Sequence, residues 1–267
     1  MRREEKRTVK FSDENNDDFF GKEIKKDPVG ADYPFVRRGA LWGTASFVMY
    51  RVVASPIIFL IGKLMYGLRI KNRRVLRKLR GTGFFMYGNH TQKMMDAYTP
   101  SLCAFPRRAY IVTGREAVSI PGIRSIVGML GGIPVPGEIK AYALFRDALK
   151  TRIGEKSAVA IYPEAHIWPW YTGIRKFSDI SFDYPAESGA PCVAFVATFR
   201  RRKIFKNRHP YLTVTLSDPF YPDPSLPRAE RRTDLRDRVY GFMKDTVSTP
   251  DNYEFIKYEK DGQVNRA

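Results

Sequence analysis

The sequence predicts an α/β fold, a mixed sheet flanked by helices. Short apolar runs suited to buried strands alternate with longer segments of helical periodicity. Two of the strand candidates end in polar turns that carry a histidine. In α/β sheets ligands gather at the carboxyl ends of strands, so those two turns mark the working edge.

Strands are expected at Gly83–Tyr87, Ala109–Val112, Gly132–Val135, Ala158–Tyr162, Cys192–Ala197 and Tyr211–Leu216, and helices at Met94–Ala104, Pro121–Met129, Glu138–Arg152 and Arg228–Thr246. From Ala141 to Leu149 the apolar residues recur at helical spacing, with polar ones on the opposite face. The Pro-rich run Pro219–Pro224 reads as a connector before the last helix.

Four regions follow from composition. Residues 1–38 carry charge runs of both signs and few aliphatics, and are expected to be a disordered tail without a signal-peptide core. Residues 39–80 are expected to associate with a membrane, residues 81–250 to form the α/β unit, and residues 251–267 to be a polar tail. Within the second region Arg51 and Lys63 leave an unbroken apolar window of 11 residues. A spanning helix needs about 20. Pro56 is expected to break a helix near Ser55. The expectation is a helical hairpin in one leaflet, with Trp42, Tyr50 and Tyr66 at headgroup depth. A buried pair of core helices is the alternative.

The chain has 267 residues, a hydrophobic fraction of 43% and a net charge of +18. Basic residues cluster at Arg69, Lys71, Arg73, Arg74, Arg77, Lys78 and Arg80, and again at Arg200–Lys203, Lys206 and Arg208. The first cluster directly follows the apolar segment, which favours an anionic membrane surface over nucleic acid, at about 1 kcal/mol per basic residue. That order places the catalytic unit on the cytoplasmic face, peripheral or monotopic. No zinc-finger, RNP or G-x-x-G module occurs, so nucleic acid is not an expected partner. Cys103 and Cys192 are the only cysteines, which favours a reducing compartment and makes Cys192 a small core residue.

The most informative stretch is Asn89-His90-Thr91-Gln92-Lys93-Met94-Met95-Asp96, just past the run Phe84–Gly88. A histidine beside a carboxylate forms a base and its orienter, a pair that strips a proton from a hydroxyl. The second turn is Pro163-Glu164-Ala165-His166, after Ala158–Tyr162. An ordinary polar loop is the plain reading of either turn alone.

Together, in this order and spacing, the two turns resemble the lysophospholipid acyltransferase family, whose best-known members are the 1-acyl-sn-glycerol-3-phosphate acyltransferases. That family carries N-H-x-x-x-x-D, then G-x-x-F-I-x-R, then F-P-E-G-T-R, then a V-P-V block. The counterparts here are Asn89–Asp96, Gly132–Pro136, Tyr162–His166 and Ala190–Phe195, within roughly residues 40–220. The resemblance implies a glycerolphosphate-acyltransferase-like sheet and transfer of a fatty acyl group to a lysophospholipid hydroxyl, most often that of 1-acylglycerol-3-phosphate. It implies no cofactor beyond the donor substrate, acyl-CoA or acyl carrier protein. His90 is the expected general base and Asp96 its orienter; Asn89, Thr91, Arg115, Glu164 and His166 are expected to bind substrate, Glu164 either by orienting the acceptor or by supporting the loop that carries the phosphate site. Arg175 and Lys176 read as surface charges that also offer themselves to a phosphate.

The departures are specific. Five residues, not four, separate His90 from Asp96. In an unbroken helix that separation puts the side chains ~120° apart, since each residue turns ~100°. The pair therefore meets only if His90 precedes the helix or a residue bulges. Pro136 and Ile167 stand where the family has arginines, and Ala165 where it has glycine. A catalytically inactive lipid-binding protein of the same fold is the alternative. Hydrolysis of a thioester by the same pair is a further one.

Overall fold

The computed structural model describes residues 7–14, 16–19, 29–119, 122–205 and 208–261. Its centre is a seven-stranded mixed sheet of order β2-β8-β7-β3-β6-β4-β5. The strands are β2 (Arg69–Lys71), β3 (Phe84–Gly88), β4 (Ala109–Thr113), β5 (Gly132–Pro134), β6 (Ala158–Ile161), β7 (Cys192–Arg200) and β8 (Tyr211–Leu216). Neighbours pair in parallel except β7 and β8, which form an antiparallel hairpin. The α/β expectation holds.

β3 and β6 are buried along their whole length, as strands covered on both faces must be. Side chains alternate across the sheet, so one face carries Phe85, Tyr87, Val159 and Val196 against the helices Tyr142–Gly154 and Arg228–Val247. The other face carries Phe84, Met86, Ala160 and Phe195 against the helix Thr99–Ala104 and Ile58. A Cβ on Gly88 would come within 2.3 Å of the Phe195 ring, so only glycine lets β3 lie this close to β7.

The expected hairpin over residues 39–80 is corrected. Ala40–Leu64 is one continuous helix of 25 residues, long and apolar enough to cross a bilayer. Val48–Ala54 is wound as π-helix, and both the N–H and the hydroxyl of Ser55 donate to the Tyr50 carbonyl, the latter at 2.6 Å. This wider turn admits Pro56 without a break. Tyr50 is buried and not at headgroup depth, because its hydroxyl accepts the Ala109 N–H at 3.0 Å. The Ser46 hydroxyl donates to the Met129 carbonyl at 3.0 Å and accepts from Arg108 at 2.7 Å. The helix is thus tied along its length to the α/β unit, while Leu41, Phe47, Val52, Ile57, Leu60 and Leu64 on its outer side are exposed.

The tail expectations are corrected for the described residues. β1 (Arg7–Phe11) pairs in parallel with β9 (Ile256–Lys260). The pair packs through Phe11 and Tyr258 on Trp168, with ring centroids 4.7 and 4.9 Å away. Trp168 Nε1 donates to the Asp17 carbonyl at 2.8 Å, so this tryptophan lies under β1, β9 and the segment that follows β1. Residues 1–6, 20–28 and 262–267 of those tails lie outside the described residues, as do Pro121 and Lys206.

Candidate active site

β3 and β6 are neighbours, and the two histidine-bearing turns leave their carboxyl ends side by side. His90 comes two residues after β3 and before any helix; Asp96 lies in the single 3₁₀ turn Met95–Ala97. That is how the longer spacing is absorbed. The intervening loop doubles back, and His90 Nδ1 lies 2.8 Å from Asp96 Oδ2. The same oxygen accepts the backbone N–H groups of Thr91 and Gln92, each at 2.8 Å.

These three donors hold the charged form of a carboxylate that is 4% exposed. Burial is the larger influence and pushes the Asp96 carboxyl above its ordinary value, with the His90 hydrogen bond pulling against it. A carboxylate on Nδ1 makes that nitrogen the N–H donor, so Nε2 on the opposite side of the ring is left as the base. The imidazole lies flat on the Tyr162 ring, centroids 4.4 Å apart at 17°. The Tyr162 hydroxyl donates to the Asp96 carbonyl at 2.6 Å, and burial keeps it a neutral phenol. Tyr162 thus fixes both members of the pair.

Glu164 supports the loop from β6. One oxygen accepts the His90 N–H at 2.9 Å and the other the Arg175 N–H at 2.9 Å. The Arg175 guanidinium reaches the same carboxylate at 3.5 Å, the carbonyl of His166, and the Glu14 carbonyl at 3.3 Å. Burial pushes the Glu164 carboxyl up and Arg175 opposes it. Arg175 is 1% exposed, so its reading as a surface charge is corrected: it is the buried counterion of Glu164. Lys176 is exposed.

The remaining expected substrate contacts sort differently. Asn89 is 1% exposed, and its amide donates to the Ala197 carbonyl at 3.0 Å and accepts the Ala197 N–H at 2.8 Å. It is a pin from β3 to β7, not a substrate ligand. Glu164 likewise spends both oxygens on the protein. Thr91 works through its backbone, whose carbonyl accepts the Trp170 N–H at 2.9 Å, while its hydroxyl is buried without a partner among the described residues. Arg115 follows β4, which β6 separates from β3, and its guanidinium packs over Gly137. His166 turns its ring to the N-terminal segment, 3.7 Å from Asp18. Cys192 is a core residue whose thiol burial pushes up, which removes it as a nucleophile.

Residues 67–196 match the family model named Acyltransferase. They are an acyltransferase-family domain. No curated protein sequence matches the chain. Among solved structures, the fold is similar to that of the 1-acyl-sn-glycerophosphate (LPA) acyltransferase PlsC from Thermotoga maritima. The TM-score is 0.54 at 17% identity, over 81% of this chain and 91% of that one. The acyltransferase match starts in the residue before Leu68 and ends within β7, so it takes in both turns and the Glu164–Arg175 pair.

Proposed function

We propose that this acyltransferase moves a fatty acyl group from a thioester, acyl-CoA or acyl carrier protein, to the free hydroxyl of a lysophospholipid, 1-acylglycerol-3-phosphate being the favoured acceptor. The observation that carries the reading is the 2.8 Å His90–Asp96 contact at the sheet edge. His90 Nε2 takes the hydroxyl proton as the acceptor oxygen bonds to the thioester carbonyl carbon. Asp96 stabilises the imidazolium so formed. Collapse of the tetrahedral intermediate breaks the carbon–sulfur bond, and the imidazolium returns its proton to the departing thiolate. The products are a diacyl lipid and a free thiol, and no protein nucleophile is needed. The acceptor assignment is supported by the substrate named for the Thermotoga maritima structure and by the motif order.

The setting we infer is an anionic membrane surface, with the protein monotopic or peripheral on its cytoplasmic face. Nine large apolar side chains exposed along the helix mark a surface made to be covered. Covering them with lipid is worth on the order of 1.5–3 kcal/mol each. The inner side of the helix is held by Ser46, Tyr50 and Arg108, so it lies along the domain and not across the bilayer. An apolar cleft beneath it, lined by Tyr50, Ile58, Tyr98, Leu102 and Leu130, is narrow, with a cavity volume of about 10 Å³.

The test is transfer from palmitoyl-CoA and palmitoyl-carrier protein to a panel of lysolipids in liposomes, with His90→Ala alongside. A diacyl product lost in the variant supports the reading and names the acceptor. Free fatty acid formed at the same rate with or without acceptor replaces transfer by hydrolysis. Folded, vesicle-bound protein that makes neither product overturns the catalytic reading.

A further inference from the structure

We propose that the β7–β8 hairpin is a second membrane-seating element, which inserts Ile204 and Phe205 into an anionic lipid surface beside the C-terminal end of the long helix. The inference builds on the membrane-surface reading above and adds to it a site, an orientation and a lipid charge.

The hairpin and the helix end are one body. Arg202, only 7% exposed, donates to the His209 carbonyl at 2.6 Å within its own turn and to the Met65 carbonyl at the end of the helix. Arg200 reaches the Gly67 carbonyl at 2.6 Å, and the Leu212 N–H donates to the Tyr66 carbonyl at 2.8 Å. The Tyr66 and His209 rings stack at 4.6 Å. Arg202 thereby caps a carbonyl at the helix end and Arg200 holds the chain just beyond it, so whatever seats the helix positions the turn as well.

Among its described residues the turn presents two exposed apolar side chains with basic residues on either side. Ile204 is 72% exposed and Phe205 66%, next to the helix end where Leu64 is 71% and Met65 51% exposed. Phe205 has φ +56°, a backbone region that favours glycine, so a phenylalanine is placed outward there against the local preference. Arg201, Lys203 and Arg208 flank the tip, and no acidic residue occurs between Arg200 and Pro210. An apolar tip continuous with an apolar helix face, backed by cations, matches a bilayer with anionic headgroups: the tip enters the acyl boundary and the cations stay at phosphate depth. An acidic protein satisfies the charge but not the continuity with the helix.

The placement also bears on the active site. The Trp170 ring stacks with His209 at 5.3 Å, and the Trp170 N–H holds the Thr91 carbonyl, one residue from His90. Seating the turn therefore brings the catalytic loop to the surface where a lysolipid acceptor resides.

The experiment uses the full chain with Ile204→Cys carrying an environment-sensitive fluorophore. Cys103 and Cys192 are both buried, so the folded protein labels at the new thiol alone. Leu144→Cys is the control, on the helix Tyr142–Gly154 that packs against the opposite face of the sheet from the long helix. With phosphatidylglycerol-containing vesicles the label at 204 is expected to shift to the blue and be quenched by brominated acyl chains, and high salt to reverse this. The label at 144 is expected to stay in water. Ile204→Ser with Phe205→Ser is expected to weaken partition to these vesicles by about ten-fold or more, with turnover of detergent-dispersed substrate unchanged. A label at 204 that stays aqueous on vesicle-bound protein overturns the proposal. So does one that shifts with an acidic acyl carrier protein and not with vesicles. Neither readout of insertion requires turnover, so a failed acyl-transfer assay leaves the result standing.

Discussion

Glu164 holds His90 by its backbone, not its ring: the carboxylate on the β6 turn accepts the His90 N–H at 2.9 Å. This strut, with Arg175 on the other oxygen, aims an imidazole whose own ring bonds to Asp96. A change at Glu164 thus reaches the chemistry through loop position. Glu164→Gln keeps one acceptor oxygen but turns an N–H₂ toward a donor and strips Arg175 of its buried counterion. Stability is expected to fall by ~3–5 kcal/mol, the usual cost of leaving one partner of a buried pair. In protein still folded, kcat is expected to fall about 10²-fold, the size expected for a misplaced catalytic group. Urea titration and single-turnover rates check this; unchanged turnover at reduced stability confines Glu164 to the fold.

Asp96→Asn separates orientation from charge. The asparagine oxygen retains an acceptor for His90 Nδ1 and the Thr91 and Gln92 N–H groups, but the negative charge beside the imidazolium is gone. The expected loss is ~10²–10⁴-fold in kcat with KM within a few-fold, because the charge acts on the transition state. Burial disfavours the charge on Asp96 in the folded protein, so its removal is expected to leave stability equal or higher. A variant with wild-type kcat sets aside Asp96 as the stabilising group.

Much of this arrangement was legible in the chain. β3, β6 and β7 read as strands because unbroken apolar runs have no other place than a covered sheet. His90 and Asp96 read as a pair because the types and order suit a base and its orienter. β1, β2 and β9 did not read, since Arg-Thr-Val-Lys-Phe, Arg-Ile-Lys and Ile-Lys-Tyr-Glu-Lys carry charges that suit exposed edges as well as loops. Arg175 was hidden for a different reason. Its burial depends on Glu164, eleven residues earlier, and on the N-terminal segment near Glu14 folding back over Trp168. Pro56 misled because a π-turn absorbs what an α-turn rejects.

Ala165 stands where the resembled family has glycine, and the backbone shows what the glycine is for. Its φ is +63°, in the left-handed region that costs a non-glycine residue about 1–2 kcal/mol. The turn keeps the glycine conformation without the glycine. Ala165→Gly is expected to raise stability by up to about 1 kcal/mol, the relief being partly offset by a freer unfolded chain. The check is an increased urea midpoint at unchanged slope. A lowered midpoint means the Ala165 methyl contributes packing that outweighs the strain.

Acid stability reports on a cluster away from the active site. Glu187 accepts from Lys150 at 3.0 Å, from Arg228 at 3.1 Å and from Arg146. The Lys150 hydrogen bond first, and that of Arg146 next, pull its carboxyl from 4.5 down to about 2. A folded-state value below the unfolded one means the cluster stabilises the protein above about 4.5 and loses that contribution as the pH falls toward about 2. Glu187→Gln removes it. The wild-type advantage in urea midpoint is expected to hold from neutral pH to about 4.5 and to vanish by about 2. Because the carboxylate is solvent-accessible, high salt is expected to shrink the advantage at neutral pH as well. An advantage that survives full acidification assigns the effect to packing of the side chain and not to its charge.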